Sequence, residues 1–223
     1  MSAAKRAFAI FGLVALSCAP LASRAQESVD LPSLAAPELR WSDHNIPVCW
    51  ENLQPSQSTE AGWVKEALAS TWERHSPLRF VGWAACQPGS KGIRIRVDES
   101  NPRSLIGNSL DGQPNGMHLN SHFSTWSQVC ARPDSREPCI KSIAIHEFGH
   151  AIGLLHEQNR ADTPAHGRDQ HVTNPDIWRF TRRYGFMVGP YDPYSVMNYC
   201  ANTGGFWVNA ECWRHSRTGV PLR

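Results

Sequence analysis

The stretch His146-Glu147-Phe148-Gly149-His150-Ala151-Ile152-Gly153-Leu154-Leu155-His156 decides how the rest of this 223-residue chain is interpreted. His146 and His150 are four residues apart, a spacing that puts both imidazoles on one face of an α-helix, one turn apart. Gly153 can adopt a positive φ, which would end the helix and let the chain turn sharply. Three residues later, His156 would then point back toward the other two histidines. The sequence therefore predicts a helix that carries two ligands of one metal ion and a turn that supplies the third.

Three histidine ligands are typical of a catalytic zinc site, because they leave one coordination position open for water. Glu147 directly follows the first ligand, so its carboxylate would lie near the metal without binding it. That is the position of a general base that acts on a zinc-activated water. The alternative is a buried helix with ordinary core histidines. The fixed positions of this pattern match by chance only about once in a hundred thousand chains of this length, so we favour the zinc site.

These residues fit the metzincin zinc-protease signature H-E-x-x-H-x-x-G-x-x-H. The residues His156-Glu157-Gln158-Asn159-Arg160 resemble the astacin version of that signature. Further along, Tyr194-Ser195-Val196-Met197-Asn198-Tyr199 resembles the Met-turn of astacin-like proteases, S-x-M-x-Y. Weaker similarity to this family extends from about Trp41 to the C-terminus.

The resemblance implies a fold class. An astacin-like chain would be α+β, a two-lobed metzincin-type zinc protease domain. Its N-terminal lobe would hold a twisted mixed sheet and two long helices, and its C-terminal lobe would be mostly irregular with one helix. In domain terms, we expect a signal peptide at 1–25, a short leader or pro-segment at 26–40 and the catalytic domain at 41–223, with lobes 41–153 and 154–223.

The resemblance also implies that the protein is a secreted zinc-dependent endopeptidase, and it assigns roles to individual residues. One Zn²⁺ per chain would be bound by three ligands, His146, His150 and His156. Glu147 would be the general base, and Tyr199 would donate a hydrogen bond to the oxyanion during turnover.

Further residues of the two motifs would support the site rather than react. Met197 would form an apolar floor under the zinc, and Gly153 would end the active helix. In astacin-like enzymes the residue matching Glu157 helps to anchor the mature N-terminus. A surface ion pair between Glu157 and Arg160 is the alternative.

Hydrophobic periodicity predicts the elements around this site. The predicted strands are Ile46–Trp50, Leu78–Trp83, Ile93–Val97 and Gly116–Asn120. The predicted helices are an amphipathic helix from Ser58 to Trp72, an active helix that begins near Glu137-Pro138, and a helix from Asn174 to about Tyr184. Residues 98–116 are rich in Asn, Gly, Pro and Asp and are expected to be mostly loop. We expect the strand at 116–120 to be the sheet edge that binds an extended peptide substrate. His118 and His122 within this region are expected to be surface histidines.

The first 25 residues are typical of a signal peptide, with Lys5 and Arg6 ahead of an apolar run that is too short to span a membrane stably. Cys18 would leave with this segment, and six cysteines would remain. An even number in an exported chain predicts disulfides. Proximity favours Cys130–Cys139 and Cys200–Cys212, which leaves Cys49–Cys86. Secretion to an extracellular or periplasmic space follows.

Composition limits the other functions. The formal net charge of +2 gives no basic surface for nucleic acid, so no nucleic-acid partner is expected. The expected partners are protein or peptide substrates that bind as extended strands. The protein itself is expected to be a monomer. Two alternatives remain. One is a different metzincin, serralysin-like, although Glu157 stands where those enzymes usually have Pro. The other is a catalytically idle secreted module that uses the fold to bind a partner protein.

Overall fold

The computed structural model describes residues 33–163, 185–192 and 195–198. Alternating apolar positions form its strands, and amphipathic stretches form its helices. In chain order the elements are β1 (Ser33–Ala35), β2 (Asn45–Trp50), α1 (Ser58–Ser70), α2 (Trp72–His75), β3 (Arg79–Ala85), β4 (Ile93–Val97), β5 (Arg103–Ser104), β6 (Met117–Leu119), α3 (Pro133–Ala151) and β7 (Phe186–Val188). Short 3₁₀ turns connect several of them, at Pro37–Leu39, Pro55–Gln57, Gly107–Leu110 and Glu157–Asn159.

The central sheet has five strands in the order β3-β2-β4-β6-β5. β2 pairs in parallel with β3 and β4, β4 pairs in parallel with β6, and β5 pairs with β6 in the antiparallel direction. The inward side chains of β4, Ile93 and Ile95, are fully buried, because the two long helices cover that face. A mixed sheet with two long helices confirms the predicted α+β class. The helix predicted at 174–184 lies outside the described residues.

The sheet edge is not where the sequence predicted it. Met117–Leu119 forms a strand as expected, but β5 pairs along its outer side, with Arg103 opposite His118 and Ser104 opposite Met117. The prediction failed because a two-residue strand inside a Gly- and Asn-rich segment has no detectable alternation. Any peptide that extends this sheet on the side of β5 would pair with residues 103–104 rather than with β6.

α1 buries one stripe, Ala61, Val64, Ala67 and Leu68, at helical spacing. Its N-terminus differs in detail from the prediction, since the 3₁₀ turn Pro55–Gln57 leads directly into it and Ser58 is already helical. The helix breaks at Thr71, and α2 continues for one turn.

α3 carries the signature histidines and begins at Pro133, earlier than the predicted start near Pro138. Pro133 occupies the first turn, where a missing N–H costs nothing, and Asp134 adds a favourable charge there. Pro138 lies inside the helix. Two indoles fix the buried end: Trp72 Nε1 donates to Ile145 O at 2.9 Å, and Trp41 Nε1 donates to Ala151 O at 2.7 Å.

Part of the segment expected to be a leader, 26–40, is built into the fold. Ser33–Ala35 pairs with β7, and Pro37–Leu39 forms a 3₁₀ turn. Ala36 N–H also donates to Gly153 O at 2.8 Å, and Leu155 N–H donates to Leu34 O at 2.7 Å. Residues from Ser33 onward therefore belong to the folded domain, whose predicted start at Trp41 was too late, because isolated short strands leave no periodic signal. Residues 26–32 lie outside the described ranges.

The cysteine predictions have mixed outcomes. Cys49 and Cys86 form a disulfide, as predicted. Cys130 and Cys139 are both fully buried free thiols, so that predicted pairing is wrong for this structure. Both pack in the core as small apolar groups. Cys200 and Cys212 lie outside the described residues.

Candidate metal centre

The end of α3 and the turn after it bring the three signature histidines together. The helix ends at Ala151, and Gly153 takes a φ of +101°, a left-handed value that glycine adopts without strain. His156 then returns to the helix. Its Nε2 lies 3.0 Å from Nε2 of His150 and 3.3 Å from Nε2 of His146. Among the described residues, these three are the group of side chains that could hold a metal ion.

Backbone carbonyls set the tautomer of two of these imidazoles. His146 Nδ1 lies 2.8 Å from Val196 O, and His150 Nδ1 lies 2.9 Å from Leu154 O. A carbonyl oxygen only accepts, so both Nδ1 atoms are protonated and both Nε2 atoms present a lone pair. Lone pairs that converge at this distance call for a cation between them.

The spacing fits zinc. Zn–N bonds of about 2.0–2.1 Å in a tetrahedral site put ligand nitrogens about 3.3 Å apart, close to the separations observed between the Nε2 atoms. Burial lowers the pKa of His146 to about 4 and that of His150 to about 3, and it also lowers the pKa of His156 well below its usual value. All three imidazoles are therefore neutral at pH 7, as metal ligands must be.

Glu147 is 3% exposed, and its Oε2 finds no hydrogen-bond partner among the described residues. Burial raises the pKa of this carboxyl to about 8, and the positive charge of Arg103 opposes that shift. A buried carboxyl whose oxygen has no partner is costly, which indicates that the group serves chemistry rather than stability.

Met197 lies against Gly149 of α3 and is 2% exposed. Its sulfur fills the space beside Gly149, where a Cβ would overlap it. Met197 O also accepts the N–H of Glu157 at 3.0 Å, which ties the Met-turn to the segment that follows His156. The sequence analysis did not recognise that position 149 requires glycine. A glycine inside the helical part of the signature was the signal that could have indicated this requirement.

Glu157 and Arg160 form a buried pair, so the alternative of a weak surface ion pair is wrong. Arg160 Nε lies 3.5 Å from Glu157 Oε1, and both side chains are almost completely buried. Glu157 Oε1 also accepts Asp192 N–H at 2.9 Å, while Arg160 donates to Ser33 O and to Asp162. Burial raises the pKa of Glu157. The pair thus joins the first described strand to the region behind the metal centre.

His118 and His122 have different environments. His122 is exposed, as expected, but His118 is only 8% exposed, and its Nδ1 lies 3.0 Å from Asp98 Oδ2. Sequence reasoning missed this network and missed Arg103, because their proximity depends on strand pairing and no local pattern reports it. Tyr199, the predicted oxyanion donor, lies outside the described residues.

Comparison with known proteins agrees with the motifs. Residues 134–209, about a third of the chain, match the family model Astacin, which describes a family of peptidases. Protein SpAN of Strongylocentrotus purpuratus is 26% identical over 133 residues, which cover 60% of this chain and 18% of that protein. Nematocyst expressed protein 6 of Nematostella vectensis is 31% identical over 97 residues, 39% of this chain and 32% of that protein. The alignments thus span less than a third of these two relatives.

Two solved structures of myroilysin are also similar. One covers 74% of this chain and 82% of its own chain, with 18% identity and a TM-score of 0.47. The other covers 72% of each chain, with 18% identity and a TM-score of 0.44. With 18% identity and TM-scores below 0.5, these similarities say nothing about function.

The family match over residues 134–209 and the three converging histidines together support a likeness to astacin-type metzincin peptidases. The matched family is a family of peptidases. Within the described residues, no helix is long and apolar enough to cross a membrane.

Proposed function

We propose that this protein is a secreted zinc-dependent endopeptidase. The observation that carries the proposal is the convergence of three neutral imidazole nitrogens beside a buried, unpartnered carboxyl group, Glu147. A pure binding module needs neither the lone pairs nor the desolvated acid in that combination.

The protein's residues divide the chemistry among them. His146, His150 and His156 hold the zinc ion, which when bound supplies a Lewis acid that polarises the scissile carbonyl and lowers the pKa of a water molecule. Glu147 takes a proton from the attacking water and returns it to the leaving amine. Tyr199 donates a hydrogen bond to the developing oxyanion.

The scaffold keeps the ligands in place before substrate arrives. Val196 O and Leu154 O hold two imidazoles in the tautomer that frees Nε2. Burial of α3 on most sides restricts the histidine rotamers. The peptide substrate adds to the edge of the sheet at β5 through backbone hydrogen bonds.

Several properties of the whole protein are part of this proposal. Residues 1–25 direct export, the catalytic domain follows a short leader, and the mature protein acts as a monomer on protein or peptide substrates. It binds no nucleic acid and has no stable membrane span.

The first experiment tests Glu147→Ala. We expect this variant to keep one zinc per chain and to lose casein hydrolysis by several orders of magnitude, because only the proton acceptor is removed. Zinc is measured by elemental analysis, and hydrolysis is measured with and without a chelator.

Glu66→Ala is the matched control, since Glu66 is an exposed glutamate of α1 whose side chain is 66% accessible. It should keep both zinc and activity. Near-wild-type hydrolysis by zinc-loaded Glu147→Ala protein would contradict the mechanism, and a wild-type protein that binds no zinc would contradict the site itself.

A further inference from the structure

A hydrogen-bond network holds the guanidinium of Arg103 at the edge strand. Arg103 Nη2 lies 2.9 Å from His118 Nε2, and Nη1 donates to Ser100 Oγ at 3.1 Å and to Asn101 O at 3.2 Å. His118 Nδ1 in turn faces Asp98 Oδ2 at 3.0 Å. Because Nδ1 donates to the carboxylate, Nε2 accepts from the arginine and the imidazole is neutral. The network therefore orients Arg103.

Arg103 makes no direct contact with a carboxylate in this network, because the atoms that accept its N–H groups belong to a hydroxyl, a backbone carbonyl and an imidazole. Asp98 pairs instead with Arg96, at 3.1 Å. Among the described residues, no carboxylate lies within ion-pair distance of Arg103. The guanidinium also has more N–H groups than these bonds use, so it can still bind a planar carboxylate.

This charge lies within electrostatic reach of the metal centre. β5 contacts α3, the helix that carries Glu147, and the charge of Arg103 opposes the effect of burial on the pKa of that carboxyl. A substrate that crosses the metal centre along β5 therefore passes Arg103.

The register of β5 shows which substrate side chain would meet Arg103. Leu105 N–H donates to Gly116 O at 3.0 Å, while Ser104 pairs with Met117 and Arg103 pairs with His118. Bonded and non-bonded pairs alternate in an antiparallel ladder. The N–H and C=O of Ser104 therefore point outward, free to pair with an added strand.

Side-chain alternation completes the argument. Arg103 and Leu105 lie on the same face of β5, the face of His118, whereas Ser104 lies on the face of the fully buried Met117. Leu105 is 45% exposed. A peptide paired with Ser104 would thus set two side chains, two residues apart, against Arg103 and Leu105.

We propose that Arg103 and Leu105 select peptides that carry Asp or Glu two residues from an apolar residue, both pointing away from α3. This inference rests on the endopeptidase function proposed above and adds a substrate class to it. A partly exposed contact between a guanidinium and a carboxylate gives a preference of roughly tenfold over an uncharged isostere.

The experiment compares matched peptides that carry Glu, Gln or Lys at each position around one cleavage site. In wild-type protein, kcat/KM should favour Glu over Gln about tenfold at one position, with Lys poorest. Arg103→Gln should abolish that preference. At the position two residues away, Leu105→Ser should weaken the preference for an apolar side chain.

Arg79→Gln is the control, because Arg79 is an exposed arginine of the opposite edge strand, β3, bonded to backbone carbonyls. It removes the same charge and should keep the preference for Glu. Equal rates for Glu and Gln peptides in the wild type, or a preference that survives Arg103→Gln, would overturn the inference.

If the wild type cleaves no peptide, the endopeptidase proposal fails, and binding then tests the inference separately. Fluorescence anisotropy of labelled Glu and Gln peptides is measured on wild-type and Arg103→Gln protein. Tighter binding of the Glu peptide by the wild type alone supports the role of Arg103, and equal affinities refute it.

Discussion

Gly149, which lies between His146 and His150 in α3, is a position where the packing leaves no room for a larger side chain. A Cβ at this position would overlap Met197 Sδ and lie 3.3 Å from Trp72 Cζ2. The glycine therefore lets the Met-turn approach α3 closely beside the signature histidines.

We expect Gly149→Ala to lower the free energy of unfolding by about 1–3 kcal/mol, because overpacking forces Met197 to shift. Metal affinity should fall with it, since Val196 O holds His146 and is adjacent to Met197. Urea denaturation and zinc titration measure the two effects.

Gly62→Ala provides the control in α1, where a Cβ would meet nothing within 4 Å. That change should raise stability by about 0.5–1 kcal/mol through helix propensity alone. In the double variant Gly149→Ala/Met197→Ala the overlap is gone, so the two costs should be less than additive. Full additivity would show that Gly149 does not act through Met197.

At the residue scale, the sequence predicted what is local. His146 and His150 follow from helical spacing, and Gly153 follows from the need for a turn. His118 was assigned to the surface because its partner, Asp98, is brought to it only by the pairing of β6 with β4. No spacing rule encodes that contact.

At the scale of elements, an ion pair between β4 and the residue that follows β2 supplements the ladder between these strands. Arg94 of β4 donates to Glu51 through Nε at 2.8 Å and through Nη2 at 3.1 Å, a two-bond contact with both side chains largely buried. The hydrogen bond from Arg94 is the main reason why the pKa of Glu51 lies below its ordinary value.

Glu51→Gln should therefore reduce the free energy of unfolding by about 1–3 kcal/mol at pH 7. The folded-state pKa is depressed, so the stabilisation is fully present above the unfolded carboxyl pKa of about 4.3 and is lost as the pH falls through the folded value. Urea titrations at pH 7, 5 and 4 should show the wild type and the variant converging toward the acid end.

Glu66→Gln is the comparison, since the Glu66 side chain is 66% accessible and its ion pair with Lys141 should contribute little. It should change stability by less than about 0.5 kcal/mol at every pH. A Glu51→Gln deficit that stays constant with pH would mean that packing, rather than charge, explains the loss.

Long elements were predicted from the sequence more accurately than short ones. α1 and β4 were placed correctly because each repeats its period several times. β1 and β5 are too short to show one, and the start of α3 was displaced because two prolines, Pro133 and Pro138, both fit a first turn. Their positions depend on partners elsewhere in the chain.

At the scale of the whole molecule, the disulfide Cys49–Cys86 closes a loop of 37 residues that contains α1, α2 and β3. It joins the end of β2 to the end of its parallel neighbour β3. The cross-link mainly restricts the unfolded chain.

Cys49→Ala/Cys86→Ala should lower the free energy of unfolding by about 3–4 kcal/mol from loop-closure entropy. Cys130→Ala is the control, because it removes a buried thiol that forms no disulfide here and should cost only its packing. Chemical denaturation measures the free energy of unfolding of both variants. A loss below about 1 kcal/mol in the double variant would show that the unfolded chain is already compact.

The pairing of β1 with β7 has a consequence for the order of events during synthesis. Ser33 is paired with Val188, so β1, the first described strand, gains its partner only after Val188 has emerged. Contacts this distant in sequence form late and slowly. Because Arg160 donates to both Ser33 O and Val188 O, this late pairing also completes the buried support behind the histidines. A nascent chain that has already made the signature helix would therefore still lack this support for the three histidines until β7 has been synthesised.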